Sequence, residues 1–330
     1  MDPVRSTRQN SLANADPEPL PRESMICIVG ALAVDLLISR ARFVKGTSNP
    51  ASIRFSPGGV GYRIYSHLQS PKMLFTALGS DVFGKWLIEN IDQPQWVNPI
   101  FLDQYSTSCY CALMQSGELF YGAADMAVIE QGLSWPRLRA RLPELGEKDF
   151  LVLEANLSPE LIRSLLHQFG RKTRVVFESV SVEKLLRHAD VLKNLYLLAG
   201  NEEEFKALGN RFVMEGNSKE IDAPAGRRSQ SDRWVQDFLE ERGIEMLLVT
   251  RGRRGLWLYQ RDSRATAGRG KSQEPLTITP NRVIETTDTT GAGDRLLSAF
   301  LEAVDREAET GDALRQVVGS VERAIEEGNL

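Results

Sequence analysis

Short, uninterrupted runs of apolar residues recur along the chain. The first run, Met25–Val29, is rich in β-branched residues and ends at Gly30. Such a run is typical of a strand that is buried on both faces of a parallel sheet. The pattern predicts further strands of this kind at Met73–Ala77, Phe150–Glu154, Arg174–Glu178, Leu195–Leu198 and Glu245–Thr250.

Helical patterns separate several of these runs. Ser158 and Pro159 form a typical helix start, and the apolar residues of Leu161–Leu166 fall on one helical face. Strands that alternate with helices predict a three-layer αβα domain. Polar stretches without periodicity predict surface loops at Asn210–Arg233 and Arg261–Glu274.

A second group of strand patterns breaks this alternation. Ala33–Ser39 and Ala51–Phe55 follow the first strand without a helix between them. Ser108–Met114 and Leu119–Ala123 read as a hairpin around Ser116-Gly117. Together they predict a small β-sheet that lies beside the main domain as a lid.

The organisation that follows is a disordered tail at residues 1–24 and one domain at residues 25–330, with lid strands from about residues 33–56 and 107–124. The tail has no apolar core of a signal peptide, and no apolar run reaches membrane-spanning length. We therefore expect a cytoplasmic protein with no membrane partner.

Composition narrows the function classes. The chain of 330 residues is 42% hydrophobic and has a net charge of −4, which is enough for a full core and lacks the basic excess of a nucleic-acid-binding surface. Its three cysteines have no partners at zinc-ligand spacing, so we expect buried, reduced thiols.

The strongest chemical signal is the string Asp288-Thr-Thr-Gly-Ala-Gly-Asp294, which precedes a helical run at Arg295–Val304. If Gly291–Gly293 open a helix, their N–H groups form an anion site, and Asp294 could accept the proton of an attacking hydroxyl. A helix N-terminus lowers the pKa of an Asp and so weakens it as a base, whereas nearby phosphate charge acts in the opposite direction. The alternative is that Asp294 only caps the helix and the glycines only make a turn.

This string resembles the C-terminal signature of the ribokinase-like (PfkB) family of sugar kinases. Each further motif taken alone has a structural explanation as a turn, a strand end or a helix cap, but their common order favours the family. The segments that resemble family motifs are, in order, Gly30–Asp35, Pro57–Gly61, Gly79–Gly84, Asn201–Glu204 and Leu248–Gly255.

The resemblance implies a ribokinase-like fold with a β lid, and transfer of the γ-phosphate of ATP to a sugar hydroxyl with Mg²⁺. It implies that Asp294 is the base and that Glu204 is a metal ligand. A monovalent cation and a homodimer that forms through the lid belong to the same expectation. The implied nucleotide-side residues are Asn201, Glu204, Thr250, Gly252, Gly255, Thr290, Gly291, Ala292 and Gly293.

Within the family, the chain resembles the pseudouridine kinases most closely. The resemblance lies in Ser48–Gly61, Gly117-Glu118, Asp125-Met126, Glu154-x-Asn156 and Phe177–Ser181. It implies that the ribose 5′-hydroxyl of pseudouridine is the acceptor. The implied substrate-binding residues are Asp35, Gly58 and Gly59 around the ribose, Asn49 and Thr107 near the base, and Arg63, Asp125 and Asn156.

Two departures from the pattern put activity in question. Arg63 stands where the family usually has Asn, so sugar binding is altered if its side chain faces the pocket. The resemblance implies a further segment near the adenine and the monovalent cation after a final helix at about Asp312–Glu327, and we expect the protein to lack it. We expect this to weaken ATP binding.

Three functions therefore remain open from the sequence. The first is a kinase for pseudouridine, a related nucleoside, or another sugar such as ribose. The second is a degenerate, non-catalytic PfkB-like protein that binds nucleosides. The third is a dinucleotide-binding oxidoreductase, which the absence of GxGxxG after Gly30 disfavours.

Overall fold

The computed structural model of the protein describes residues 24–216, 233–261, 275–280, 291–306, 314–315 and 317–319. The sequence-based expectations for the N-terminal tail, for the loop after Arg261 and for most of the final helix lie outside these residues. So does Thr290.

The described strands form a nine-stranded sheet and a four-stranded sheet. The strands of the large sheet are β1 (Ile26–Val29), β4 (Lys72–Gly79), β5 (Val97–Leu102), β8 (Phe150–Glu154), β9 (Arg174–Glu178), β10 (Leu197–Asn201), β11 (Met246–Thr250), β12 (Leu256–Gln260) and β13 (Leu276–Ile278). Their order is β13-β12-β11-β10-β9-β8-β1-β4-β5, and all neighbours are parallel except β11–β12 and β12–β13.

Helices cover both faces of the large sheet, which confirms the predicted three-layer α/β architecture. Alternate residues of β1 enter the two cores, with Cys27 and Val29 in one and Ile26 and Ile28 in the other. The helices are α1 (Val60–His67), α2 (Val82–Asn90), α3 (Trp135–Leu138), α4 (Pro159–Phe169), α5 (Val182–His188), α6 (Glu202–Met214), α7 (Arg233–Arg242) and α8 (Ala292–Asp305), with short 3₁₀ or π turns at Pro94–Trp96, Val128–Gly132 and Gly252–Arg254. None of these helices has the length and apolarity needed to cross a membrane.

The smaller sheet is built from the strands that broke the alternation. These are β2 (Ala33–Arg40), β3 (Ser52–Gly58), β6 (Cys109–Gln115) and β7 (Glu118–Asp125), in the order β3-β2-β6-β7. The hairpin of β6 and β7 turns at Ser116 and Gly117, which both have positive φ, as the predicted turn requires. The sheet is therefore confirmed, and it stands beside the main sheet as expected.

Three expectations need correction. The loop predicted from Asn210 is wrong as far as Met214, because buried Phe212 continues the apolar face of α6. The strand predicted at Leu195–Leu198 begins and ends later, at Leu197–Asn201. Of the three thiols only that of Cys27 is fully buried, because Cys109 and Cys111 lie on β6 of the small sheet, where most residues are only partly buried.

Candidate active site

Polar residues gather where the parallel strands of the large sheet end. The register aligns Glu154 at the end of β8 with Glu178 at the end of β9. Asn201 at the end of β10 pairs with Thr250 at the end of β11. In an open α/β sheet, ligands bind at this carboxyl edge. The edge thus collects groups that were far apart in the sequence.

Helix α8 begins at this edge with exposed backbone donors. Gly291 is its N-cap with φ of 87°, and no side chain of the described residues caps it. A Cβ added at Gly293 would meet no described atom within 4 Å. The prediction that Gly291–Gly293 open a helix is confirmed, and the N–H groups of a first turn without a side-chain cap are donors that can bind an anion.

Asp294 lies in the first turn of α8 and is almost fully buried, with 7% of its surface exposed. The cap position belongs to Gly291, so the alternative that Asp294 only caps the helix is wrong. Burial raises the pKa of Asp294 to about 7, against the positive charge of Arg63, which lowers it. The helix dipole alone predicts a lowered pKa, but desolvation exceeds it. A carboxyl with a pKa near neutrality suits a general base.

Ser298 lies where α8 packs against α1, and its hydroxyl can donate to a carbonyl oxygen on either helix. Its Oγ lies 3.1 Å from the carbonyl oxygen of Ile64 on α1 and 2.8 Å from that of Asp294. On α1, Arg63 points into the site. Its Nη1 lies 4.0 Å from Oδ2 of Asp294, and its Nη2 donates a hydrogen bond to Asp35.

The glycines after β3 make room for Asp35. A Cβ at Gly58 would lie 2.0–2.5 Å from the carboxylate atoms of Asp35, closer than any real contact. Gly59 has φ of 89°, and a Cβ there would lie 2.6 Å from the carbonyl oxygen of Ala31. Both glycines are therefore required by local geometry at the point where the small sheet meets α1.

A buried network surrounds Glu154. Its Oε1 accepts a hydrogen bond from the backbone N–H of Ala31 at 2.8 Å, and its Oε2 accepts one from the backbone N–H of Asn156 at 3.1 Å. The Asn156 amide also donates to Glu154 and accepts from Lys184. Burial raises the pKa of Glu154, although these donors oppose the shift. The sequence identified Asn156 but missed Lys184, whose only signal was a place in the first turn of the helix after β9.

Glu204 is held inside the capping box of α6. Its Oε2 accepts from the backbone N–H of Asn201 at 2.7 Å and from Ser179 Oγ at 2.5 Å, and its Oε1 accepts from the Asn201 side chain at 2.7 Å. Both oxygens are therefore engaged by the protein. Within the described ranges, no three His, Cys, Asp or Glu side chains are arranged to hold a metal ion. The role of Glu204 as a metal ligand stays a prediction.

Glu178 is a second group that sequence reasoning did not place in the site. Its Oε2 is shut off from solvent and finds no hydrogen-bond partner among the described residues. Burial and the negative charges of Asp294 and Glu204 raise its pKa well above the ordinary range. The signal for it was an acid at the end of a buried strand, in register with Glu154.

The turn between β11 and β12 carries the other predicted nucleotide-side residues. Thr250 Oγ1 donates to the carbonyl oxygen of Gly200 at 3.3 Å, so it also ties β11 to β10. Gly252 and Gly255 both have positive φ, at 54° and 84°. The turn thus depends on glycine at both positions, next to the carboxyl edge.

Three predicted acceptor-side residues make local contacts. The Asn49 side chain bonds to Arg40 and to the backbone of Val44 and Thr47 in the β2–β3 loop. Thr107 Oγ1 donates to Asp81 Oδ1 at 2.7 Å. Asp125 ends β7 opposite Cys109 and accepts from the backbone N–H of Ala127 at 3.1 Å. Their roles in binding an acceptor stay predictions.

A model of one protein family matches the sequence over nearly the whole chain. The family is described as pfkB family carbohydrate kinase, and the match runs over residues 23–320. The chain belongs to the pfkB family of carbohydrate kinases. The oxidoreductase alternative is therefore dropped, and the sequence resemblance is confirmed at the level of the family.

The chain is also similar to individual curated proteins over part of its sequence, and to solved structures over most of its fold. The pseudouridine kinase of Escherichia coli is 29% identical over 114 residues, or 31% of this chain and 35% of that enzyme. The 1-phosphofructokinase of Haloferax volcanii is 30% identical over 117 residues, or 34% of each chain. The alignments thus span about a third of each curated relative. The ribokinase of Thermotoga maritima superposes with a TM-score of 0.68 at 19% identity, covering 90% of this chain and 91% of that one, which establishes the ribokinase fold.

Proposed function

We propose that the chain is an ATP-dependent kinase that phosphorylates the 5′-hydroxyl of pseudouridine or of a related nucleoside or sugar. The observation that carries the proposal is the position of Asp294. It is a buried carboxyl with a pKa near neutrality, next to the open N-terminus of α8 and across Arg63 from Asp35. A base, an anion site and a hydroxyl-binding acid thus meet at one edge of the sheet.

The chemistry follows from these groups. Asp294 accepts the proton of the acceptor hydroxyl while that oxygen forms a bond to the γ-phosphorus. The bond between this phosphorus and the β,γ-bridging oxygen breaks, and the electron pair leaves with the β-phosphate. The N–H groups of the first turn of α8 stabilise the charge on the transferred phosphoryl group. Asp35 accepts a hydrogen bond from an acceptor hydroxyl and orients it.

The residues present fit a triphosphate better than they fit a dedicated metal cage. ATP supplies the phosphoryl group, and the open first turn of α8 together with the glycine turn after β11 offers backbone to its phosphates. The carboxylate oxygens of Glu204 are already engaged. If Mg²⁺ binds together with ATP, Asn201 and Glu204 would lie on its side of the site, and the ion would supply positive charge to the phosphates.

The charges at the edge support an uncharged acceptor. Arg63 is paired with Asp35, and Lys184 donates to Asn156, so neither is available for a phosphate on the acceptor. This favours a nucleoside or a sugar over a sugar phosphate, in agreement with the resemblance to pseudouridine kinases around Asn49–Gly61.

Competing acceptors test the proposal. Pseudouridine, uridine, ribose, fructose and fructose 6-phosphate are compared by kcat/KM with ATP and Mg²⁺, following release of ADP. We expect pseudouridine to give the highest value and fructose 6-phosphate a much lower one. Higher efficiency on fructose 6-phosphate would overturn the proposed choice of acceptor. If none of the acceptors stimulated release of ADP, the proposed kinase activity itself would be overturned.

The pairing of Arg63 with Asp35 favours a second candidate, a non-catalytic nucleoside-binding member of the family. In this arrangement the carboxylate that should hold sugar hydroxyls is occupied by a fixed positive charge. Calorimetric titration with pseudouridine, with and without ATP, separates the two functions. Binding without turnover would establish the second candidate.

We also propose that the small sheet mediates a homodimer. Ile53 on β3 and Leu119, Phe120 and Tyr121 on β7 are 48–66% exposed. Ile53 lies on the opposite edge strand from β7, so the proposed interface is centred on the run Leu119–Tyr121 of β7. Adjacent exposed apolar side chains are typical of interaction surfaces. Leu119→Ser with Tyr121→Ser should convert a dimer to a monomer in light scattering. The control Met214→Ser, at an exposed residue of α6, should not, and a monomeric parent protein would contradict the dimer.

A further inference from the structure

Arg63 connects the two acids on which the proposed reaction depends. It belongs to α1, whereas Asp35 belongs to β2 of the small sheet and Asp294 to α8. One guanidinium nitrogen donates to Asp35 and the other lies 4.0 Å from Asp294 Oδ2. About a quarter of the Arg63 side chain is exposed, so solvent does not fully screen these interactions.

The position of Arg63 is fixed by its backbone and by helix packing. Its N–H donates to the carbonyl oxygen of Gly59 at 2.9 Å in the first turn of α1. The Ser298 hydroxyl on α8 lies within hydrogen-bond distance of the carbonyl oxygens of the next residue, Ile64, and of Asp294. The fold therefore holds the backbone of Arg63 close to both acids, and the contacts to Asp35 and Asp294 set the position of its guanidinium.

The groups that face Asp294 from the neighbouring elements are mostly acidic. They are Asp35 on β2, Glu154 on β8 and Glu178 on β9, and each raises the cost of a negative charge on its neighbours. Arg63 on α1 is the cation that opposes them at Asp294. Without it, a buried carboxyl among other carboxyls would hold its proton.

We propose that Arg63 is a positioning residue with two opposed effects, keeping Asp294 ionised for proton abstraction while competing with the acceptor hydroxyls for Asp35. The inference rests on the proposed kinase function. It explains how the protein can have Arg63 at a position where the family usually has an Asn next to the sugar. The protein loses acceptor affinity and gains a base of which about half is ionised at neutral pH.

The two effects separate in kinetics. In Arg63→Asn, Asp35 is released, so KM for pseudouridine should fall. Loss of the positive charge should move the acid limb of the kcat–pH profile to a pH that is higher by roughly 1. The kcat at pH 7 should then fall roughly five-fold and recover near pH 9, if the parent limb lies near the pKa of about 7 of Asp294.

Two comparison variants make this result specific. Arg63→Lys keeps the positive charge and should keep the acid limb near that of the parent. Arg211→Asn removes an arginine that also pairs with two acids, Asp190 and Glu215, but lies on α6. It should change neither KM nor the profile. An acid limb unmoved in Arg63→Asn, or moved equally in Arg211→Asn, would overturn the proposal.

A stability measurement tests the coupling even if the kinase function fails. A double-mutant cycle with Arg63→Asn and Asp294→Asn is measured by urea unfolding at pH 5 and at pH 8. The Arg63–Asp294 coupling should be near zero at pH 5, where Asp294 is protonated, and favourable at pH 8. Absence of coupling at pH 8 would overturn the proposal independently of any turnover.

Discussion

Asp294 is the residue whose replacement separates chemistry from binding. Asp294→Asn keeps the shape of the side chain but cannot accept the hydroxyl proton at neutral pH. We expect kcat to fall by about 10²–10⁴-fold, the usual contribution of a positioned base, with little change in the Kd for ATP. Asp190→Asn, at an exposed acid of an ion pair, is the control and should retain full activity. Turnover within a few-fold of the parent would show that another group is the base.

A substitution at Gly58 tests the role of Asp35 while the Asp35 side chain itself stays chemically unchanged. In Gly58→Ala the new methyl group would lie within 2.0–2.5 Å of the Asp35 carboxylate and must displace it. We expect KM for the acceptor to rise about ten-fold or more while KM for ATP stays near that of the parent. The matched control is Gly146→Ala, where the nearest atom is 3.8 Å away. If the KM for the acceptor were unchanged in Gly58→Ala, Asp35 would not be part of the acceptor-binding site.

Single residues of this site could be predicted from the sequence where they belong to a motif that resembles a family motif. Asp35, Asn156, Asn201 and Asp294 were identified from the sequence, and the structure brings them to the carboxyl edge or to the sheet–α1 junction beside it. That Arg63 could pair with an acid was foreseeable, but the choice of Asp35 was not, because it depends on a tertiary contact between α1 and β2. The raised pKa of Asp294 likewise follows from burial, which no local pattern shows.

At the scale of elements, α8 presents the proposed phosphate site through a glycine start. Gly291 has φ of 87°, a conformation that costs a residue with a Cβ about 1–2 kcal/mol. In Gly291→Ala the first turn should shift, so KM for ATP should rise several-fold with a smaller change in KM for the acceptor. Gly291→Asn should be milder, because Asn adopts this conformation more readily.

The outcome that would contradict this role of α8 is a KM for ATP that is unchanged in Gly291→Ala. A rise that is equal for both substrates would instead indicate general misfolding of the site. Circular dichroism and the urea midpoint of both variants distinguish that case, since the Asn variant should lie between Ala and the parent.

Elements with continuous apolar runs were predicted well. The strands β1, β4, β8, β9 and β11 lie where the sequence placed them, because each is buried on both faces. The strands β5, β12 and β13 were not predicted, because they lie near or at the sheet edges and their apolar runs are interrupted or short. Helix α6 was cut short in the prediction because Asn210 and Arg211 read as a loop, although Phe212 is buried.

At the scale of the whole molecule, the buried acid should make stability depend on pH. The folded-state pKa of Asp294 is raised from 3.8 to about 7, so the folded state binds the proton more tightly than the unfolded state. The stabilisation from this proton is fully present below about pH 4 and is lost as pH rises to about 7. A pKa that differs by 1 between the folded and unfolded states corresponds to about 1.4 kcal/mol, so the protonation of Asp294 contributes a few kcal/mol.

Asp294→Asn should therefore be more stable than the parent above pH 7 and should lose this advantage as pH falls toward 4. Urea unfolding across this range measures it. Asp35, Glu154 and Glu178 also have raised pKa values from burial, so the parent and the variant should both retain some pH dependence. A difference between them that does not vary with pH would contradict the protonation of buried Asp294.

The most direct test of the whole account is the identity of the product. The protein is incubated with ATP, Mg²⁺ and pseudouridine, and the mixture is followed by ³¹P NMR and mass spectrometry. The account predicts ADP and a pseudouridine 5′-phosphate monoester in equal amounts, formed by the parent protein and nearly absent with Asp294→Asn. ADP with only inorganic phosphate, or a monoester formed equally by both proteins, would contradict it.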